Sequence, residues 1–362
     1  GVVYRHRHFT SQVDMLRSTF DIRPGEVDLP TFPPFALFDP AMGMTTVVPF
    51  MDPTRPAKAD PALLVQTIER FGVTNIFGSP ALLNVLGRHT ESKGIKLPSV
   101  RRVISAGAAM PVATVRRLQK TLPADAEVYT PYGATECLPV ASVSGTQLNE
   151  EVEQRTAAGE GTCIGKPVAP NRTRIIPVTD NVVETFEDTV ELPVGITGEI
   201  VVYGPTSTDS YWQREEQTRL AKITGSEGQV WHRMGDAGYF DTQGHLWYCG
   251  RKSQIVILGQ ETLFADQVEA VFNVHPEVAR TALVGIGPAG HQTPVLCVEP
   301  LDKPNAHRRE RIRIDLLQLG RNNPLTKSIR HVLFHKSFPV DIRHNAKIGR
   351  EKLAAWATEK II

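Results

Sequence analysis

The sequence predicts an α/β fold: a parallel sheet subdomain with helices on both faces, a small antiparallel β subdomain, and a mobile α+β C-terminal domain. Three observations predict it. Short apolar strands alternate with amphipathic helices up to about residue 130, the pattern of a sheet covered on both sides. From about Gly161 to Gly250 the helical period disappears and strand-like runs are broken by Pro and Gly. After Ser253 a mixed pattern of strands and helices returns.

In order along the first region, Thr45 to Phe50 reads as a strand, Asp60 to Phe71 as a helix and Thr74 to Phe77 as a strand. Ala81 to His89 is helical, Val103 to Ser105 a strand, and the helix after Pro111 carries Val112, Val115 and Leu118 on one face. Glu127 to Thr130 is the next strand. In the second region Arg172–Ile176, Gly198–Val202 and His245–Cys249 read as strands, with Thr242-Gln243-Gly244 as a hairpin turn. The third holds strands at Ile255–Leu258, Thr281–Val284 and Val295–Val298, helices at Ala265–Val274 and Arg350–Lys360, and a charged surface segment at Pro304–Arg313. The implied division is 1–160, 161–252 and 253–362.

Lys and Arg total 40 against 39 Asp and Glu, a formal charge of +1 in 362 residues. That balance gives no electrostatic reason to expect nucleic acid or an anionic membrane as a partner. No apolar run is long enough to span a bilayer. Cys137, Cys163, Cys249 and Cys297 lack metal-ligand spacing and form no disulfide framework, so a cytoplasmic location is expected.

Two loops carry the chemistry. Ser105-Ala106-Gly107-Ala108-Ala109-Met110 and Pro131-Tyr132-Gly133-Ala134-Thr135-Glu136 each follow a strand, and open α/β sheets bind ligands at the carboxyl ends of their strands. The first is nearly all small residues, so a flat ring can approach its backbone. The second supplies an aromatic face, a hydroxyl and a carboxylate, the groups wanted for a base, a phosphate and a divalent cation. The plainer reading makes both ordinary turns, with Tyr132 in the core and Glu136 at the surface. Their placement at one crevice favours the ligand reading.

The Pro131–Glu136 run resembles the signature of the adenylate-forming superfamily, which includes acyl-CoA synthetases, peptide-synthetase adenylation domains and luciferase. Further blocks follow in the family's order. Gly198-Glu199-Ile200 through Thr218, His232-Arg233-Met234-Gly235-Asp236, Gly250-Arg251-Lys252-Ser253, Gly259 to Glu269, and Asn345-Ala346-Lys347-Ile348-Gly349-Arg350 all resemble family motifs. The resemblance implies ATP (AMP) and Mg²⁺ as cofactors. It implies that Tyr132, with Gly133 and Ala134, lies at the adenine beside Gly107 and Ala108, that Thr135 contacts the α-phosphate and that Glu136 holds the metal. Asp236 would accept the ribose hydroxyls, Arg251 would support ribose or phosphate, Ser253 would be the hinge, and Lys347 would bridge the attacking carboxylate and the phosphate. Each also has an ordinary reading: Asp236 as a turn residue, Arg251 as a surface charge, Lys347 as a solvated lysine.

Residues 1–160 would then be the remainder of a large N-terminal domain, because the family's Ser/Thr/Gly-rich phosphate loop belongs immediately before Gly1-Val2-Val3. The family's usual Gly before the catalytic Lys is Ala346 here. The post-hinge segment Gln254–Leu258 lacks the lysine that several relatives use in a second half-reaction.

Within the superfamily, Pro131–Ser142, Cys249–Lys252 and Arg343–Ile348 resemble the β-lactone synthetases of bacterial long-chain olefin biosynthesis. That branch implies adenylation of a 2-alkyl-3-hydroxy long-chain fatty acid, then attack by its own hydroxyl to close a β-lactone and release AMP. Other enzymes of an olefin pathway would be partners. His8 and His344 are candidate bases, His8 also reading as a packing residue. Phe32 to Met44 reads as an acyl tunnel or as core. The competing functions are a fatty acyl-CoA or acyl-AMP ligase and a non-catalytic nucleotide-binding scaffold.

Overall fold

The computed structural model describes residues 1–340 and 348–361. Helix α1 (His6–Phe20) leads into strand β1 (Val27–Pro30), followed by the short helix α2 (Asp39–Met42) and β2 (Thr45–Thr46). Then come α3 (Pro61–Phe71), β3 (Asn75–Gly78), α4 (Pro80–Lys93), β4 (Arg102–Ser105), α5 (Val112–Gln119) and β5 (Glu127–Ala134). The signals that start and stop these helices are local. Asp60 accepts the Ala62 amide and Ser79 the Leu82 amide, each with a proline at the first helical position. Gly72 and Gly94 end their helices at φ +59° and +64°, a conformation that favours glycine.

Strands β1 to β5 run parallel in the order β2-β1-β3-β4-β5. Strand β5 turns back as the antiparallel β6 (Cys137–Ser144), and past α6 (Glu150–Arg155) and β7 (Thr162–Cys163) the edge is completed by β8 (Lys166–Pro167). Leu64, Ile68, Leu82, Leu86, Val115 and Leu118 from the helices bury against Ile76, Val103 and Val128 of the sheet, which is the main hydrophobic contribution here.

The second sheet is antiparallel, in the order β7-β13-β12-β10-β9: β9 (Arg172–Ile176), β10 (Gly198–Tyr203), β12 (Val230–Phe240) and β13 (Leu246–Arg251). Helix α7 (Glu215–Ala221) feeds β11 (Lys222–Thr224), which pairs with β12. Trp247, Tyr239 and Cys249 of this sheet sit in the same apolar cluster as Val103 and Val143 of the first, so the two sheets share a core.

Beyond Ser253, β14 (Val256–Leu258) and β15 (Glu261–Leu263) form a hairpin before α8 (Ala265–Asn273). Strand β16 (Val278–Ile286) pairs antiparallel with β17 (Thr293–Pro300), and after α9 (Ala306–Asn322) strand β18 (His331–Phe334) joins β17 in parallel. Helix α10 (Arg350–Ile361) covers β16. This part touches the sheets before it: the Thr162 hydroxyl donates to Asp266 at 2.8 Å, and the Asn323 amide to the Ala158 carbonyl at 2.7 Å.

Several elements differ from the sequence reading. The strand expected over Thr45–Phe50 stops at Thr46; Pro49 offers no donor, and Val48 and Phe50 point into solvent. Helix α1, β1 and β12 were not expected. The charged segment at Pro304–Arg313 is the start of α9, where Ile312, Leu316 and Gly320 bury a narrow stripe that its many charges conceal.

Candidate active site

The site lies where β4 and β5 end. The sequence pattern ends the strand at Thr130 and makes Tyr132 and Gly133 loop residues, but β5 continues to Ala134, so only Thr135 and Glu136 form the turn into β6. Gly133 is needed for that hairpin, since a Cβ there would lie 2.8 Å from the Leu138 Cβ. Gly107 is different. It has φ +95° and an added Cβ would meet nothing within 4 Å, so its backbone faces open space, with Ala108 beside it half-buried. A flat ring has room to lie there.

Tyr132 is half-buried and donates from its phenol to Asp236 Oδ2 at 2.5 Å. Asp236 is carried on β12 directly opposite Arg251 of β13, and the guanidinium stands 3.1 Å from Oδ1. That second oxygen is buried without a hydrogen bond. Burial raises the Asp236 pKa to about 6, against the lowering effects of Arg251 and the Tyr132 hydrogen bond. Tyr132 itself is pushed well above its ordinary value, first by burial and then by the Asp236 charge. An unsatisfied carboxylate oxygen suits a donor such as a ribose hydroxyl.

The turn is gripped from behind. Glu136 Oε1 accepts from the Tyr211 phenol at 2.7 Å, and its carbonyl accepts from the Thr208 amide at 2.8 Å and hydroxyl at 3.2 Å. The Thr135 side chain is exposed while its carbonyl accepts from the Tyr4 phenol. Val2 bridges to Tyr211, holding the first residues against the same wall. Among the described residues no group of three or more His, Cys, Asp and Glu could hold a metal. Glu136 fits Mg²⁺ all the same, because that ion is commonly held by one or two carboxylates together with substrate phosphates and water.

The structure thus brings Tyr132, Asp236 and Arg251 into direct contact and sets Glu136 one turn away. Ser253 lies in the single helical turn Lys252–Gln254 directly after β13. Lys347 and His344 lie outside the described residues. His8 is fully buried; its Nδ1 accepts the Arg5 amide at 2.9 Å, which puts the proton of the neutral ring on Nε2. With the Nδ1 lone pair engaged by the Arg5 amide and Nε2 buried without a partner, the structure gives His8 a packing position. Phe35 stacks on Phe77 at 3.7 Å, and Phe38, Met42 and Met44 pack with Phe20 and Ile104, so much of Phe32–Met44 is core. A small gap between Gln12, Leu16, Phe35, Phe38, Leu138 and Pro139 marks its inner face.

Tyr4, Thr208 and Lys222 were not singled out from the sequence. The one visible sign was a lysine in the otherwise apolar run Leu220-Ala221-Lys222-Ile223.

Comparison with known proteins gives the class. The AMP-binding enzyme family matches residues 1–212, and the chain belongs to that family. More particularly, it is 53% identical over 365 residues to the olefin β-lactone synthetase of Xanthomonas campestris, covering 99% of this chain and 65% of the relative. It is 54% identical over 369 residues to the olefin β-lactone synthetase of Stenotrophomonas maltophilia, again 65% of that protein. The chain thus spans 65% of the length of each of these two relatives. The fold matches an amide bond synthetase from Marinactinospora thermotolerans with TM-score 0.77 at 24% identity, over 98% of this chain and 67% of that one. It also matches the Bacillus subtilis o-succinylbenzoate CoA synthetase in complex with ATP and magnesium ion, with TM-score 0.74 at 20% identity, over 98% and 66%. Among the described residues no helix is long and apolar enough to cross a membrane.

Proposed function

We propose that this chain contributes the nucleotide site of an enzyme that couples a carboxylic acid to AMP, with a 2-alkyl-3-hydroxy long-chain fatty acid as substrate and a β-lactone as product. The observation that carries the nucleotide reading is the Asp236 carboxylate, with Oδ2 held by Tyr132 and the buried Oδ1 ion-paired with Arg251 but without a hydrogen bond. The similarity to olefin β-lactone synthetases over nearly the whole chain supports the acid and the product.

In the first step a carboxylate oxygen attacks the α-phosphorus of ATP and diphosphate leaves. Two anions must meet, so the protein's task is to align and neutralise rather than to supply a nucleophile. Asp236 would anchor the ribose and Arg251 add positive charge at the same edge, while the exposed Thr135 hydroxyl would contact the α-phosphate. Mg²⁺, held at Glu136, would spread the phosphate charge. Lys347 would approach both anions as a compact cation on a flexible stem. In the second step the substrate's 3-hydroxyl oxygen bonds to the acyl carbon, AMP leaves with the electron pair of the acyl–oxygen bond, and the hydroxyl proton passes to solvent. Rotation of residues 253–362 about Ser253 would separate the two steps.

Incubating the full-length protein with ATP, Mg²⁺ and a 2-alkyl-3-hydroxy acid, without CoA, should give β-lactone and AMP. Consumption of the acid only when CoA is added would make it an acyl-CoA ligase. Absence of ATP–diphosphate exchange with any acid would make it a scaffold.

A further inference from the structure

Lys222 is a buried lysine, 8% exposed, at the start of β11. Among the described residues it makes no ion pair. Its ammonium donates to the Thr208 carbonyl, lies 3.5 Å from the Thr208 hydroxyl and stands 6.0 Å from the centre of the Tyr211 ring. Thr208 and Tyr211 are the two residues that hold Glu136, one at its backbone and one at its carboxylate. A buried ammonium that gains no carboxylate is costly, so its retention needs a reason beyond packing. Burial lowers its pKa to about 8, with Glu136 the strongest opposing influence.

We propose that Lys222 is a positioning residue for the metal–triphosphate complex: through Thr208 and beside Tyr211 it fixes the turn that presents Glu136. This rests on the reading of Glu136 as the metal ligand. Hydrogen-bonded groups behind a ligating carboxylate set its orientation, and removing them weakens binding at the metal. Among the described residues none of the titratable groups around the ammonium forms an ion pair with it. Asp209 on the same loop is engaged by Arg7 of α1 at 2.6 Å, and His232 on β12 is held neutral, its pKa lowered to about 3 by burial and by Lys222. Cys137 on β6 donates or accepts at Thr206, with its pKa raised by burial. His8 of α1 is likewise pushed down by burial.

The test compares ATP binding with and without Mg²⁺ in the full-length protein by calorimetry. Lys222→Met should weaken Mg·ATP binding about tenfold while leaving metal-free ATP binding within about twofold, in line with the loss typical of such supporting groups. In the unaltered protein the metal-dependent gain should fade as pH rises through about 8, and Lys222→Met should show no such step. Thr208→Val, which keeps shape but loses the hydroxyl link, should lower the same gain if Lys222→Met does not fold. An equal loss with and without metal would make Lys222 a direct phosphate contact and overturn the proposal, as would no loss at all. If Glu136→Gln keeps the metal-dependent gain, the metal-site reading fails and takes the proposal with it; if Glu136→Gln abolishes the gain and Lys222→Met does not, the proposal fails alone.

Discussion

The Tyr132 phenol reaches across 104 positions of sequence to donate a 2.5 Å hydrogen bond to Asp236, tying the end of the parallel sheet to the middle of the antiparallel one. Because the phenol supports the charged carboxylate, it holds down a pKa that burial raises to about 6. AMP or ATP affinity should therefore fall as pH drops through about 6, where Asp236 takes up a proton and loses its capacity to accept two ribose donors. In Tyr132→Phe that transition should move to higher pH. Calorimetric titration with AMP between pH 5 and 8 measures both, and identical profiles for the two proteins would remove the Tyr132–Asp236 bond from nucleotide binding.

Lys347 is predicted from its motif and lies outside the described residues. Among the described residues on either side, Val340 bridges to Ile348 and the Gly349 amide donates to the Pro339 carbonyl at 2.7 Å. Lys347→Ala should lower ATP–diphosphate exchange by about a hundredfold or more, each tenfold being about 1.4 kcal/mol of barrier. The melting temperature should barely change. An unaltered exchange rate removes the residue from the first step.

The candidate site was legible in sequence to the extent that its groups sit in short, ordered blocks. Asp236, Arg251, Tyr132 and Glu136 could be named because the chemistry constrains neighbours one or two positions apart. What supports them was legible only in part. Tyr211 stands in the block running from Gly198 to Thr218, but its contact with Glu136, 75 positions away, has no local sign; Thr208, 72 positions away, and Lys222 behind it are required by nothing local. For the fold, helices with proline starts and glycine stops were readable, whereas β12 was missed because its apolar and polar residues do not alternate; it is buried along most of its length. Helix α9 was missed for the opposite reason, its buried stripe being narrow and its surface charge dense.

Arg350, at the first position of α10, makes two 2.7 Å contacts to the Glu269 carboxylate of α8, and both are largely buried. Even with this partner, burial lifts Glu269 to about 7. Arg350→Met would leave the carboxylate with the Leu283 amide at 2.8 Å but without its charge partner, and should cost about 3–5 kcal/mol, the range for breaking a buried pair. Since the folded pKa is raised, the protonated form is the favoured one; the stability it brings is present below the ordinary glutamate range and is lost as pH rises through about 7. The penalty of Arg350→Met should accordingly be larger at pH 8 than at pH 5 in urea unfolding. Glu269→Gln in the same background should recover part of it, and no recovery would show that packing, not charge, dominates.

A second buried acid lies under the first sheet. Asp28 on β1 and Asp39 on α2 are both buried; Asp28 accepts from the Asn75 amide, and Asp39 accepts from the Thr46 hydroxyl at 2.6 Å. Burial, and for Asp28 the neighbouring Asp39, pushes both carboxyls up, Asp28 to about 8. The pair is most comfortable carrying one proton, because two like charges so placed cannot both ionise cheaply. By linkage, the favourable contribution is complete below the usual carboxylate range and drains away as pH rises through about 8. The unaltered protein should thus melt lower at pH 9 than at pH 6, and Asp28→Asn, which is neutral at every pH, should flatten that slope. Because Glu26 and Arg102 form their own 2.7 Å buried pair beside Asn75, they provide the control: Glu26→Gln should destabilise at pH 6 and pH 9 alike, leaving Arg102 without its carboxylate. A slope unchanged in Asp28→Asn would place the alkaline loss elsewhere.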